Sequence, residues 1–468
     1  MDHDTSSSYR KESDSMGEIS VPNWAYWGAQ TQRSFENFTI GTEKMPKELI
    51  LAICTIKKAA AFVNSELGLL SKPKQEAIVV AADEILDGKL SDQFPLVIWQ
   101  TGSGTQTNMN VNEVLSNRAI ELMGGRRGSK SPIHPNDDVN KSQSSNDVIP
   151  SAIKIAAVCE IKNKLLPTLK TLHKALSAKA EQFSSEIKVG RTHLMDATPV
   201  TLGQEFSAYA CQIQHAIESI EMTLQGLSEL PIGGTAVGTG LNAPKDFGPK
   251  MAKMISKLTH IPFTSSPNKF ETQSAHDAVL FTQGALKRLA SALFKIANDI
   301  RWLASGPRAG LGEIFLPENE PGSSIMPGKV NPTQCEAVMM VAVEVLGYDA
   351  AISFANSLGN FELNTFQPLI AHNFLQSIRL LHDGVDSFTR NCIFGIRPNS
   401  KRLSTLLESS LMLATALNPL IGYDKATQVV KMAYHDNITL KEACLKLKVA
   451  SAEEIDKALD PKKMVFFD

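Results

Sequence analysis

Apolar side chains recur in steps of three and four along four long segments, the spacing that places them on one face of an α-helix. The four segments are residues 158–176, 202–227, 286–303 and 374–388. Pro231 follows the second segment and Gly306-Pro307 the third, so both helices should end there, while Pro167 predicts a kink in the first. Helices of roughly 25 to 30 residues, against a mean of about 11 to 12, indicate a helix bundle.

Residues 337–346 are apolar on every side of the predicted helix rather than along one stripe. Glu344 interrupts this run, which has about half of the roughly 20 residues that a membrane span needs, so we expect no membrane role. A helix that is apolar all round must be surrounded by protein. We favour neighbouring subunits packed about a symmetry axis, and the alternative is the core of a single chain's bundle.

The same pattern divides the chain into three predicted domains. Up to about Ser144 short apolar stretches alternate with loops, so residues 1–144 should form an N-terminal mixed, mostly helical domain. Residues 145–400 carry the long stripes and should form the central bundle. After Pro398 the pattern shortens into pieces separated by turn residues, which predicts a small helical C-terminal domain over residues 401–468.

Composition narrows the class of protein. A chain of 468 residues can bury a large core, and 43% hydrophobic with 21% charged residues is ordinary for a globular protein. With 47 basic and 49 acidic side chains the net charge is −2, so no overall field would attract nucleic acid or anionic lipid. An anionic ligand must therefore be held by a local site.

The six cysteines lie far apart and form no Cys-x-x-Cys pair. The sequence thus offers neither a zinc ribbon nor an iron–sulfur site, and we expect reduced core thiols. Residues 1–14 are polar and include four acidic side chains, unlike the apolar core of a signal peptide or an acid-poor transit peptide. These features predict a cytoplasmic protein.

Four polar segments rich in glycine or serine interrupt the helical pattern, at residues 101–108, 134–147, 190–199 and 322–332. Loops on a rigid scaffold are where binding sites are usually built. In residues 322–332 two prolines and two glycines prevent a regular helix, which leaves backbone N–H groups free to bind an anion. Lys329 adds a cation, Asn331 an amide donor and Ser323 a hydroxyl that could move protons. The alternative is a solvated surface loop.

Residues 322–332 read Gly-Ser-Ser-Ile-Met-Pro-Gly-Lys-Val-Asn-Pro, which resembles the signature of the fumarase/aspartase superfamily. The resemblance extends in order over most of the chain, from residues 15–17 and 27–32 to residues 422–426. It implies a mainly α, three-domain fold with a central five-helix bundle. It also implies a homotetramer in which four bundles join into a twenty-helix core.

Three segments favour the fumarase branch over the aspartase branch. His193 stands where aspartases carry glutamine, and an imidazole with a pKa of about 6.5 can gain or lose a proton near neutrality. Asp137 and Asp138 stand where aspartases tend to have asparagine and histidine, and residues 332–336 have the fumarase form. The resemblance is to class II fumarases, which hydrate fumarate reversibly to (S)-malate by anti addition of water and need no metal or other cofactor. It implies small dicarboxylates as ligands, without nucleic acid or membrane partners.

The resemblance also implies roles for five residues. Ser323 is the base that takes the C3 proton of malate, and its alkoxide needs stabilisation by loop N–H groups and by Lys329. Lys329 and Asn331 stabilise the dianionic enediolate, the aci-carboxylate intermediate. His193 is the acid for the leaving hydroxide and, in hydration, the base that activates water, and Glu336 orients its imidazole.

Further polar positions match those that bind substrate in the superfamily. They are Ser103, Gly104, Thr105, Ser144, Ser145, Asn146, Thr192, Ser324, Lys329 and Asn331. Serine, threonine and asparagine in such loops are more often turn formers when taken singly. In the superfamily these segments meet from three subunits, so a monomer could not hold a complete site.

A second dicarboxylate site near the surface of class II fumarases is matched by three residues. They are His134, Asn136 and Asp137. The position three before the histidine is often basic in the family, and here it is Ser131. Three basic side chains nearby could replace it: Arg126, Arg127 and Lys130.

The sequence leaves three rival functions to be weighed. An aspartate ammonia-lyase is the closest, and His193 argues against it. A lyase of the argininosuccinate type would need room for a larger leaving group and different loop residues. A non-catalytic structural protein, like the lens crystallins of this superfamily, is disfavoured because Ser323, Lys329, Asn331 and His193 are all present.

Overall fold

The structure is a computed structural model that describes residues 8–465, and most of these residues lie in helices. In chain order the helices are α1 (Ala29–Asn37), α2 (Lys47–Glu66), α3 (Lys72–Leu86), α4 (Thr105–Leu122), α5 (Ser145–Glu160), α6 (Leu166–Gln182), α7 (Leu202–Leu227), α8 (Phe247–Thr259), α9 (Lys269–Ser274), α10 (Asp277–Leu303), α11 (Thr333–Ser357), α12 (Gln367–Asn391), α13 (Ser400–Ser409), α14 (Asn418–Ile421), α15 (Tyr423–Asp436), α16 (Leu440–Leu447) and α17 (Ala452–Ala458). The mainly α fold class is confirmed.

Strands in the described part of the chain form four separate pairs. The strands are β1 (Tyr9–Asp14), β2 (Gly17–Pro22), β3 (Ile187–Thr192), β4 (Met195–Thr201), β5 (Glu229–Leu230), β6 (Thr264–Ser265), β7 (Ile314–Phe315) and β8 (Arg397–Pro398). The pairs β1–β2, β3–β4 and β7–β8 are antiparallel, and β5–β6 is parallel. Of the polar N-terminal segment, residues 1–7 lie outside the described residues.

The apolar stripes predict three long helices correctly. The stripe over residues 202–227 is α7, and the other two lie within α10 and α12. Stripe residues such as Phe206, Leu293 and Phe374 are fully buried. The pattern therefore identified the core-facing side of each helix.

The fourth stripe is interrupted just before Pro167. Helix α5 ends at Glu160, a π-helical turn covers Ile161–Leu165, and α6 begins at Leu166. Within that turn the N–H of Leu166 donates to the carbonyl of Ile161, one residue further back than in an α-helix. Proline lacks an N–H and crowds the preceding turn, which accounts for the irregularity where a kink was predicted.

The apolar run of residues 337–346 lies in α11, which has 25 residues. Met340 is 69% exposed, Val343 56% and Phe354 74%, so the chain's own core does not surround this helix and that alternative is wrong. This helix, with a mean hydropathy of 1.6, is long and apolar enough to cross a membrane, and no other described helix is. The apolar stretch of α11 thus extends beyond residues 337–346, and its length does not by itself exclude a membrane span. Subunit-interface helices have the same composition.

The chain divides into two compact units. The first comprises Met1–Pro167, Glu218–Arg288 and Val343–His382, and the second comprises Thr168–Ile217, Leu289–Ala342 and Asp383–Asp468. In the first unit α2 packs against α3, α4, α5 and α8. In the second, the short helices expected after Pro398 enclose an apolar cluster that includes Leu417, Val429 and Cys444. The division into three domains stays a prediction.

The cysteines are unpaired thiols throughout the described residues. Cys54, Cys335, Cys392 and Cys444 are buried, and burial raises the pKa of the Cys159 thiol to about 11. Cys211 is exposed on α7, so the expectation that all six lie in the core is wrong for this residue.

Candidate active site

The first polar segment forms the N-terminus of α4. Gly104 precedes the helix in a left-handed conformation (φ 71°) and packs on the side chain of Ile149. A Cβ on Gly102 would lie 1.5 Å from the carbonyl oxygen of Thr365, so only glycine fits there. The hydroxyls of Ser103 and Thr105 are 2.8 Å apart and half-buried at the start of the helix. Tight backbone packing thus holds two hydroxyls at the N-terminus of α4.

The second polar segment forms the N-terminus of α5. Ser144 caps the helix by accepting the N–H of Asn146 (3.2 Å), and Asp147 accepts the N–H of Ser144 (3.0 Å). Ser144 therefore has the local structural role, here a helix cap, that is usual for a serine in such a loop. The side-chain amide of Asn146 donates to the carbonyl of Ala236 (2.9 Å), while Ser145 accepts a hydrogen bond from an asparagine on α4.

Asp147 ties this N-terminus to a glycine-rich loop. Its second carboxylate oxygen accepts the N–H groups of Gly233 and Thr235, each at 2.9 Å. Burial raises the pKa of Asp147 to about 6, against the lowering effect of these three backbone donors. The N-termini of α4 and α5 adjoin in the first unit, and two helix N-termini together favour an anionic group.

The third polar segment is a tight β-hairpin. Thr192 pairs with Met195, so His193 and Leu194 form a two-residue turn with φ of 58° and 62°. Such turns usually carry asparagine or glycine, because other residues are strained at positive φ. Thr192 and His193 are exposed, and Leu194 and Met195 are 68% and 69% exposed. The predicted catalytic imidazole therefore projects from a strained, apolar tip.

A buried ion network holds the base of this hairpin. Lys188 is 1% exposed and its ammonium lies 2.7 Å from Glu205 and 3.2 Å from Glu313. The guanidinium of Arg191 lies 2.6 Å from the other oxygen of Glu313. Burial raises the pKa of Glu205, and the nearby Lys188 lowers it. Two cations and two carboxylates thus anchor the strand that leads to His193.

The fourth polar segment closes on itself around Ser323. The hydroxyl oxygen of Ser323 accepts the N–H groups of Ile325 (3.2 Å) and Met326 (3.1 Å). The N–H of Gly322 donates to the carbonyl of Lys329 (2.7 Å), and the amide of Asn331 donates to the carbonyl of Gly322 (2.7 Å). Two N–H donors on one oxygen favour its deprotonated form. This is the stabilisation that a serine alkoxide needs.

Lys329 and Glu336 have no ion pair within residues 8–465, and both are exposed. Glu336 lies in the first turn of α11. Ser323, His193 and Glu336 all belong to the second unit, yet no hydrogen bond joins any two of them in one chain. Within the described part of one chain, these three groups are therefore not linked into a hydrogen-bonded set.

The residues of the second dicarboxylate site share one turn. Nδ1 of His134 accepts the N–H groups of Asn136 and Asp137, both at 3.2 Å, which leaves the ring proton on Nε2. Nδ1 lies 3.5 Å from the Asp137 carboxylate, a contact that is not an ion pair while Nδ1 accepts. Arg127 binds Glu121 and the carbonyl of Asn23, so it cannot replace a basic residue at 131.

The neighbouring Lys130 is occupied as well, because its ammonium donates to the carbonyl of Ser13. Arg126 is exposed and is the basic side chain that stays available near Ser131. The described residues contain no cluster of three His, Cys, Asp or Glu side chains that could hold a metal ion.

Comparison with known proteins identifies the family. A family model described as lyase matches residues 17–347, and one described as fumarase C C-terminus matches residues 413–465. A class II fumarate hydratase from Nitrosomonas europaea is 58% identical over 97% of this chain and 99% of its own length. The chain belongs to the class II fumarate hydratase family. The predicted superfamily and its fumarase branch are confirmed, and the aspartase alternative is not favoured.

Further relatives match over nearly the whole chain. The mitochondrial fumarate hydratase of Rhizopus oryzae is 58% identical over 98% of this chain and 93% of its own length. The crystal structure of class II fumarase from Schistosoma mansoni superposes with a TM-score of 0.95 at 43% identity, covering 98% of this chain and 99% of that chain. The fold is therefore that of the family along nearly the whole chain.

Sequence reasoning found the loops of this site but missed the side chains that support them. The sequence did not predict the four residues of the buried ion network, which are Lys188, Arg191, Glu205 and Glu313. The signal that could have indicated them is the presence of two cations, Lys188 and Arg191, within the short strand β3. The left-handed turn at His193 was also missed, because the residue types there do not indicate it.

Proposed function

We propose that this chain catalyses the reversible hydration of fumarate to (S)-malate by anti addition of water, without a metal ion. The observation that carries the proposal is the loop of residues 322–332, in which two backbone N–H groups point at the oxygen of Ser323. A hydroxyl held in this way can serve as a base for a weakly acidic C–H group. The comparison with fumarate hydratases supplies the substrate class.

In the dehydration direction the Ser323 alkoxide removes the C3 proton of malate. The electron pair of the C–H bond moves into the adjacent carboxylate and forms the dianionic enediolate. Lys329 stabilises this charge, and Asn331 contributes the amide hydrogen that the loop leaves free. The electron pair then forms the C2–C3 double bond, the C2–O bond breaks, and the leaving hydroxide takes a proton from the His193 imidazolium as water.

Hydration follows the reverse path. Neutral His193 removes a proton from water as the oxygen adds to C2, and the Ser323 hydroxyl returns its proton to C3 on the opposite face. Glu336 would orient the imidazole from another chain, because no hydrogen bond or ion pair joins it to His193 within residues 8–465 of one chain. The strained turn supports the proposal, since strained residues concentrate at functional sites.

The substrate carboxylates would be held at the N-termini of α4 and α5. The polar groups at these two helix N-termini are the hydroxyls of Ser103, Thr105 and Ser145 and the side-chain amide of Asn146. Thr192 and Ser324 would add hydroxyls from other chains. The helix termini supply partial positive charge without a bound cation.

The proposal includes a homotetramer with active sites shared between subunits. The exposed apolar face of α11, with Met340, Val343 and Phe354, is the kind of surface that a subunit interface covers. The exposed hairpin tip at Leu194 and Met195 would be covered in the same way. A cytoplasmic location is proposed as well, on the unpaired thiols of the described residues.

A second dicarboxylate site is proposed at His134, Asn136 and Asp137. Nε2 of His134 carries the hydrogen that would bind the ligand, because Nδ1 already accepts two backbone N–H groups. Arg126 is the candidate for the missing basic group.

The function is tested by adding the purified protein to malate and following fumarate by its ultraviolet absorbance. We expect absorbance to rise at the same rate with and without a chelator, and no fumarate to form from aspartate. Ser323→Ala and His193→Asn should each reduce turnover by about 10² or more while the tetramer stays intact. No absorbance rise would refute the function, and loss of rate with the chelator would refute the metal-free mechanism.

A further inference from the structure

Lys57 on α2 is fully buried in the first unit, and no carboxylate is hydrogen-bonded to it. Its ammonium donates to the side-chain oxygens of Asn140 (2.7 Å) and Gln143 (3.0 Å). Burial lowers the pKa of Lys57 to about 7, and the charge of Asp147 opposes this shift. Burying an ammonium without a direct carboxylate partner is costly, so the side-chain oxygens that accept from Lys57 must be held in place.

The hydrogen bonds of Lys57 continue to the proposed substrate site. The oxygen of Asn140 that binds Lys57 also accepts the side-chain N–H groups of Asn108 and Asn112, both at 3.2 Å. The same nitrogen of Asn108 donates to the hydroxyl oxygen of Ser145 at 3.0 Å. Three hydrogen bonds therefore connect the buried ammonium to a serine at the N-terminus of α5.

Each link in this network sets the orientation of the next. The Lys57 nitrogen donates to both of its partners, which requires Asn140 to turn its oxygen towards Lys57. The Asn140 oxygen in turn accepts a hydrogen bond, so the amide nitrogen of Asn108 must face it. In this orientation the same Asn108 nitrogen also faces Ser145. The oxygen of Asn108 is buried without a partner among the described residues, so its own contacts do not dictate this orientation.

The direction of the Ser145 hydroxyl follows from the orientation of Asn108. With its oxygen accepting from Asn108, Ser145 keeps its hydrogen for an acceptor outside the network. A carboxylate oxygen at the N-termini of α4 and α5 is such an acceptor. If the Asn108 amide were turned over, Ser145 would instead donate inwards to Asn108 and lose its hydrogen for the ligand.

We propose that Lys57 is a positioning residue for substrate: through Asn140 and Asn108 its buried ammonium fixes the Ser145 hydroxyl as an outward donor to a substrate carboxylate. This inference rests on the proposed function of Ser145 in substrate binding. Lys57 does not touch the substrate, so its effect belongs to binding rather than to proton transfer.

The test compares Lys57→Met with Lys154→Met in the full-length protein. Lys154 is the matched control, since it is 2% exposed in the same unit and its ammonium donates to the backbone carbonyl of Glu229. For Lys57→Met we expect the KM for fumarate and the inhibition constant of succinate, a non-reacting dicarboxylate, to rise about tenfold, with kcat within threefold of wild type. Lys154→Met should leave both constants within twofold. A merely structural role would move kcat and thermal stability instead.

Two further variants separate the possible failures. Asn108→Ala breaks the same network and keeps the lysine, so it should raise both constants as Lys57→Met does, even if the latter folds poorly. Ser145→Ala should raise them too, and adding Lys57→Met to it should have no further effect. If Ser145→Ala has the wild-type KM for fumarate and the wild-type inhibition constant of succinate, both the proposed role of Ser145 and the role of Lys57 are wrong. If Ser145→Ala raises them while Lys57→Met and Asn108→Ala do not, the inference alone is wrong.

Discussion

Gly322→Ala should disable the loop that carries Ser323 without unfolding the protein. A Cβ at this position would lie 2.5 Å from the carbonyl oxygen of Lys329, a backbone atom that cannot rotate away. The loop must open to admit the methyl group. Opening breaks the hydrogen bond from Gly322 to Lys329 and the one from Asn331 to Gly322, both 2.7 Å long.

The expected loss follows from these two bonds. At about 1 kcal/mol net for each, the closed loop is destabilised by about 2 kcal/mol. Since about 1.4 kcal/mol corresponds to a factor of ten, kcat/KM for malate should fall by about 30-fold. The thermal midpoint should change little, because residues 323–330 are mostly exposed and contribute little to the core.

The assay is initial-rate measurement of fumarate formation on matched protein samples. Gly226→Ala is the control, because a Cβ there meets the nearest atom, on Ala278, at an ordinary 3.5 Å. That variant should keep wild-type kinetics. A Gly322→Ala enzyme with unchanged kcat/KM would show that closure of the loop does not position Ser323. A drop in midpoint equal to that of a core substitution would show that the loss is global.

Three further predictions concern stability and assembly. Lys188→Met removes one of the cations that bind the buried carboxylate of Glu313, so the free energy of unfolding in denaturant should fall by about 3 to 5 kcal/mol. The control is Lys11→Met at an exposed ion pair, which should lower it by at most about 1 kcal/mol. Equal effects of the two substitutions would contradict a stabilising role of the buried network. Burial lowers the pKa of His276 from 6.5 to about 4, so the unfolded state binds more protons between these values and stability should fall as pH drops from 6.5 to 4. His276→Gln should flatten that slope in urea titrations, and an unchanged slope would refute the assignment. Met340→Glu on the exposed face of α11 should give smaller species in light scattering with little activity, while a fully active tetramer would exclude this face from the interface.

Much of the local structure follows from the sequence because its causes are local. The stripe that begins at Leu202 identifies a helix and its buried face, since a period of 3.6 residues is a property of neighbouring positions. Pro167 likewise predicts the irregular turn at Ile161–Leu165, because the missing N–H acts within one helical turn. The loop of residues 322–332 was identified from its prolines, glycines and signature alone.

The supporting networks could not be predicted in this way. Arg191 meets Glu313 across 122 positions, and Lys57 meets Asn140 across 83. No periodicity links such residues, and a buried lysine looks like a surface lysine in the sequence. Only the packed chain shows which polar groups are deprived of water and must therefore bind each other.

What the sequence by itself determined is the long helices, the polar loops that interrupt them and the family to which the chain belongs. Tertiary structure decided how Ser323 is held, how His193 is strained in its turn, and that α11 presents an apolar face outwards. The physical reason is that hydrogen-bond direction and burial depend on contacts between distant segments. Hydrophobic periodicity and turn propensity depend on the few residues next to each position.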